Sequence, residues 1–206
     1  MVAVLVGQIS ALIRESRFRG RLPTLSKQVY LFERQFFLKV MNLKGTVVYD
    51  SIHGNTKQIA EAIAEQLRSD AVDVELFSVK ERKNPSGDFL FLGSPTRGSR
   101  PTKSSVQFLE SLDRSYWSSH PVVLFDTVGP FSKDETKREK WLEVAEKGTK
   151  NAAAKLQQLC NECGIRSYPK VLHSAVTGFF GPLAPDATQR AKEFAQQFLE
   201  STRTKV

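Results

Sequence analysis

Between residues 45 and 200 the chain switches repeatedly between two hydrophobic periods, and this alternation restricts its fold more than any other feature. "FLFLG" (89–93) and "PVVLFDT" (121–127) are unbroken apolar runs, the pattern of parallel strands buried on both faces. "GTVVYD" (45–50), "VDVELFSV" (72–79) and "KVLHSAV" (170–176) add three β-type segments. Helical periods separate them. Ile59, Ala60, Ile63, Ala64 and Leu67 share one helix face, with Lys57, Glu61, Glu65 and Arg68 opposite. Thr102 is placed to cap a helix carrying Val106, Phe108, Leu109 and Leu112. A further helix runs through Ala152, Leu156, Leu159 and Cys163 and stops at Gly164. Asp186 with Gln189 forms a capping box for a last helix that turns Ala191, Phe194, Ala195, Phe198 and Leu199 inward. Strands alternating with helices imply βαβ units, hence an α/β fold: a three-layer sandwich on a five-stranded parallel sheet.

A chain of 206 residues, 40% apolar and 25% charged, has room for one packed domain and an appendage. We expect the domain over residues 41–206 and a basic N-terminal extension over 1–40. In the extension, seven basic residues against Glu15 and Glu33 carry +5 of the net +8, leaving +3 for the rest. Three readings of it stand open: an upstream stretch before a true start at Met41, a targeting peptide, or a packed helix over "VYLFERQFFLKV". No apolar run is long enough to span a membrane. Basic residues do not interleave with aromatics in a nucleic-acid motif, so no nucleic-acid partner is expected. Cys160 and Cys163 are too few for a disulfide framework, which points to a reducing cytoplasm. Their C-x-x-C lies at a helix end, where no helix dipole favours a thiolate, so they read as structural.

In such sheets ligands bind beyond the carboxyl ends of the strands. The loops there are "SIHGNT" (51–56), "SPTRGSRP" (94–101) and "VGPFSKDE" (128–135). The first admits two readings. It is either a capped strand–helix turn, with Asn55 or Thr56 as the cap and Gly54 easing the bend, or an anion site. In the latter, a phosphate takes the free N–H groups of the helix start, with Ser51 and Thr56 hydroxyls beside it. It is neither a Gly-Lys-Ser/Thr nucleotide loop nor a G-x-G-x-x-G fingerprint.

Together, "SIHGNT", "FLFLGSPTRGSRPTKSSVQFLESL", "VVLFDTVGPF" and "TGFFGPL" resemble the phosphate loop, the two flavin loops and the tail of the flavodoxin-like family, over residues 45 to 200. The resemblance implies strand order 2-1-3-4-5 and FMN as cofactor. Carried over by position, the phosphate falls on Ser51, Ile52, His53, Gly54, Asn55 and Thr56. The ring falls between Pro95, Thr96, Arg97 and Gly98 on one side and Thr127, Gly129, Pro130 and Phe131 on the other. Gly98 is the residue placed to let a carbonyl turn toward the reduced flavin's N5–H. The chain departs from the pattern at His53, which stands where the family has Thr, and it has no Tyr or Trp in the second or third loop. Its mild positive charge also differs from the strong acidity of carrier flavodoxins.

The resemblance implies electron transfer between redox partner proteins. An NAD(P)H:quinone-type reductase, acting on a nicotinamide and a quinone, and a non-redox binding protein are the alternatives. "SKDETKREKWLEVAEK" (132–147), longer than the family pattern and with Trp141 as an apolar anchor, reads as an extra solvated helix, with a lid or docking element as the alternative. His120 and His173 have no sequence neighbours that suggest chemistry.

Overall fold

A computed structural model describes residues 43–81 and 83–203; the readings of residues 1–40 and of Met41 lie outside the described residues. Five parallel strands form the sheet: β1 (Lys44–Tyr49), β2 (Asp73–Ser78), β3 (Phe89–Pro95), β4 (Val122–Val128) and β5 (Leu172–Ala175). They are ordered β2-β1-β3-β4-β5, the flavodoxin-like order. The helices are α1 (Asn55–Ser69), α2 (Lys103–Glu110), α3 (Arg114–Trp117), α4 (Glu135–Lys147), α5 (Ala152–Glu162) and α6 (Ala187–Arg203). The single turn of α3 was not legible in the sequence; its Trp117 is buried.

The three layers follow from how β3 divides its side chains. All seven of its residues are buried. Phe89 and Phe91 enter the core under α1 and α6, with Val47, Ile59, Ile63, Leu67 and Phe198. Leu90 and Leu92 enter the core on the other face, with Val48, Phe108, Leu109, Leu124, Leu156 and Cys160. Phe198 closes the first core by meeting Phe89 and Phe91 edge-on, at centroid distances of 5.0 and 5.2 Å. Each such ring or Leu contributes roughly 1.5–3 kcal/mol by leaving water. Gly93 is fixed by packing, since a Cβ there would run into the Phe125 ring on the neighbouring strand.

Thr102 caps α2 as expected, accepting from the Ser105 N–H. Asp186 does something else: its carboxylate pairs with Arg138 at 3.4 Å and Arg190 at 3.7 Å. It thereby joins α4 to the start of α6. On α4 the buried residues are Arg138 and Leu142, whereas Trp141 is 56% exposed. Leu142, not Trp141, is the anchor of that helix, because its position on the wheel faces the sheet. Among the described residues no helix is long and apolar enough to cross a membrane.

The chain leaves β1 toward one edge for β2 and returns on the other side of β1 for β3. Strand order therefore reverses between β1 and β3, and the loops after them diverge and leave a crevice.

Candidate flavin-binding cleft

Asp50, directly after β1, is buried and fastened. Its N–H donates to the Gly93 carbonyl at 2.9 Å and its Oδ2 accepts from the Thr102 hydroxyl at 2.6 Å. The next four residues turn into α1 with Gly54 at the N-cap, at φ +86°. A Cβ at Gly54 would meet nothing within 4 Å, so glycine is favoured here by the left-handed dihedral and not by lack of room.

Neither polar side chain that could cap α1 does so. Thr56 Oγ1 is bonded to Thr127 Oγ1 at 2.9 Å, and Asn55 Nδ2 donates to the Phe180 carbonyl at 3.0 Å. No side chain closes this helix start. Its first N–H groups lie beyond the reach of intrahelical bonds and keep the positive end of the dipole. Beside them, Ser51 Oγ is buried without a hydrogen-bond partner. An ordinary capped turn would leave no such orphan, and a buried unpaired hydroxyl costs about 1–3 kcal/mol. A phosphate with its acceptor oxygens fits this set of donors.

A cleft of about 230 Å³ opens here. Ser51, Ile52, His53, Asn55 and Thr56 line it from the first loop, with Gly54 in the turn between them. Pro95, Thr96, Arg97 and Gly98 line it from the second, and Thr127, Gly129 and Pro130 from the third. The structure thus gathers these candidates around one space. Phe131 stands apart: its half-buried ring packs on the core and meets Trp141 at 5.7 Å. A fourth loop, after β5, adds Val176, Gly178 and Phe179, and Phe180 lies edge-on to His53 at 4.8 Å. Sequence reasoning did not assign these residues. The available signal was a glycine-flanked aromatic pair just beyond a strand's carboxyl end.

The second loop is a two-residue turn. Arg97 and Arg100 exchange backbone bonds at 2.8 and 3.1 Å, and Gly98 and Ser99 between them have φ of 53° and 66°. From below, the loop is held by a buried polar chain. Thr96 Oγ1 donates to Asp126 Oδ2 at 3.0 Å and accepts from the Ala152 N–H at 2.8 Å. Asp126 also accepts from the Ala153 N–H at 3.0 Å and, through Oδ1, from His173 Nδ1 at 2.8 Å. His173 therefore has a carboxylate neighbour after all, brought to it by strand register, since Asp126 and His173 face each other across β4 and β5. Burial works against its imidazolium. The hydrogen bond that His173 donates to Asp126, the charge of Asp126 and that of Glu146 outweigh burial and leave the His173 pKa raised.

Cys160 lies in the core, and its thiol is pushed up to about 12 by burial and by neighbouring Cys163. That suits a structural cysteine. Among the described residues no group of His, Cys, Asp and Glu is arranged to hold a metal.

Residues 46–166, more than half of the chain, match the family model described as a flavodoxin domain. The chain belongs to the flavodoxin family. A flavodoxin domain implies a bound flavin. The chain is similar to a curated relative, the "Coenzyme F420H(2) oxidase" of Methanothermobacter marburgensis, with 32% identity over 94 residues. That match takes in 41% of this chain but 23% of the oxidase, so the flavodoxin domain spans a minor part of its relative. The solved structures that share its fold include the following two. A flavodoxin from the domain Archaea superposes with a TM-score of 0.58 at 20% identity, over 78% of this chain and 99% of that one. The Flv1 flavodiiron core from Synechocystis sp. PCC6803 superposes with 0.55 at 18% identity, over 89% of this chain and 40% of that one.

Proposed function

We propose that this flavodoxin domain binds FMN and serves in electron transfer to and from a redox partner protein. The observation that carries the reading is the open start of α1 beside the buried, unpartnered Ser51 hydroxyl. Main-chain N–H groups of residues 52–56 and Ser51 Oγ would hold the phosphate. Pro95, Thr96, Arg97 and Gly98 would flank one side of the ring, and Thr127, Gly129 and Pro130 the other. Bound there, FMN supplies the redox chemistry, and the protein supplies position and electrostatics.

What the chain itself contributes is rigidity below the cleft and apolar surface above it. Thr96 is fixed by Asp126 and by the first N–H of α5, so the second loop is held in place before any ligand enters. At the mouth, Ile52, Phe179 and Phe180 are 55%, 79% and 70% exposed. Large apolar side chains clustered at one rim support docking of a partner protein. The oxidase relative and the flavodiiron core, in which the matched stretch is a minor part, support the reading as an electron-transfer module. Two free thiols fit a reducing compartment such as the cytoplasm.

The test is a spectrum of the purified protein during stepwise anaerobic reduction. The expected result is a yellow protein reduced in resolved one-electron steps. A single two-electron step with fast NADPH–quinone turnover would favour the reductase alternative, and a colourless protein that refuses FMN would overturn the flavin assignment.

A further inference from the structure

Beside the cleft lies a larger space that no step of the electron-transfer reading uses. It is a groove of about 680 Å³ between α4 and the end of β4, within the size range of small-molecule sites. The strip Val128–Phe131 contributes to both. Gly129 and Pro130 line the cleft, whereas Val128 and Phe131 line the groove. The Phe131 N–H donates to the Val176 carbonyl at 2.7 Å, which fixes the strip.

The other wall is α4. This helix sends Arg138 and Leu142 inward and leaves Trp141 and Val144, on its groove side, 56% and 70% exposed. Phe131 and Trp141 meet edge-on across the floor at 5.7 Å. The ionisable residues that line the groove, Lys147 and Lys150, are both cationic. At about 100° per residue, Glu139, Glu143 and Glu146 fall on the far side of α4 from Trp141 and Val144. An apolar trough with positive charge at one end is complementary to an amphiphilic anion, whose tail displaces water from Trp141 and Val144 while its head meets the lysines.

We propose that this groove binds a small apolar anion, an aryl or alkyl carboxylate or sulfonate, next to the cleft. The proposal requires no flavin, so its fate is separate from that of the FMN reading.

The test uses the full chain as purified, titrated with anilinonaphthalene sulfonate. The chain has two tryptophans, and Trp117 is buried, so quenching that disappears in Trp141→Phe reports the groove. The expected result is saturable one-to-one binding, displaced by dodecanoate and not by the same concentration of dodecanol. Reversing both charges in Lys147→Glu/Lys150→Glu should weaken it about tenfold. Val144→Asp, a surface change that leaves the core alone, should weaken it at least as much. Equal displacement by dodecanol, unchanged affinity in the double variant, or no saturable binding would each overturn the proposal. So would sedimentation showing a dimer that Val144→Asp dissolves, which would assign the face to a second copy of the chain.

Discussion

The N-terminus of α1 and those of the helices around it are built in opposite ways. Thr102 closes α2, Asp113 closes α3, Asp134 closes α4 and Asn151 closes α5, each side chain accepting from an N–H of the first turn. The start of α5 is closed further, with Thr96 on the Ala152 N–H and Asp126 on that of Ala153. At α1 the cap is a glycine, the two nearby polar side chains are committed to other loops, and Ser51 is left orphaned. A protein that closes four of its helix starts from within has left that of α1 open, at the point where strand order reverses. Closed ends serve stability, and the open end keeps its donors for an anion.

The largest change should come from filling the open end. Gly54→Asp sets a carboxylate against the phosphate at a position with room for it. FMN affinity, read by flavin fluorescence quenching, should fall about a thousandfold. Gly54→Ala should lose far less, because it adds backbone strain without charge.

Opening a closed end should instead cost stability. Asp126→Ala strands the Thr96 hydroxyl, the Ala153 N–H and His173 together, and urea denaturation should show a loss of about 3 kcal/mol. The same residue sets a pH dependence. A His173 pKa raised above 6.5 means the folded protein holds this proton more tightly than the unfolded chain. The stabilisation is complete below pH 6.5 and is lost as pH rises through the folded pKa. In Asp126→Ala burial, the largest influence on His173, is opposed only by the charge of Glu146, so the contribution of His173 should reverse and grow with pH. His173→Gln should be flat in this window.

Ser51→Ala should separate ligand from fold: about fivefold weaker FMN binding for one lost hydrogen bond, with flavin-free stability unchanged or slightly higher. Smallest for the cleft is Asp134→Ala at α4. It should lower stability by about 1 kcal/mol in thermal or urea unfolding and leave FMN affinity where it was.

How much of this was readable in advance depends on the range of the interactions. Each strand appears within two residues of its expected start and end, because burial writes a local pattern into the sequence: continuous apolar runs in inner strands such as β3 and β4, and an alternation in the edge strand β2. The inward faces of α1 and α6 were readable for the same local reason. The Asp126–His173 pair was not, since 47 residues separate partners that only the β4–β5 register brings together. Nor was the direction of Phe131. A single aromatic in a loop carries no period, and its ring went to Trp141 and the groove instead of the cleft. Asn55 and Thr56 looked like caps because their types are right. Their actual partners, Phe180 and Thr127, lie on other loops. The fourth wall of the cleft was missed because its contribution rests on loop placement after β5, not on pattern.

The most direct test of the central claim compares FMN with riboflavin, which carries the same ring without the phosphate, by titration calorimetry against the flavin-free protein. If the open start of α1 grips a phosphate, FMN should bind about a thousandfold more tightly (about 4.1 kcal/mol), and Gly54→Asp should abolish that difference while riboflavin affinity stays nearly constant. Equal affinities for the two ligands in the wild-type chain would contradict the account.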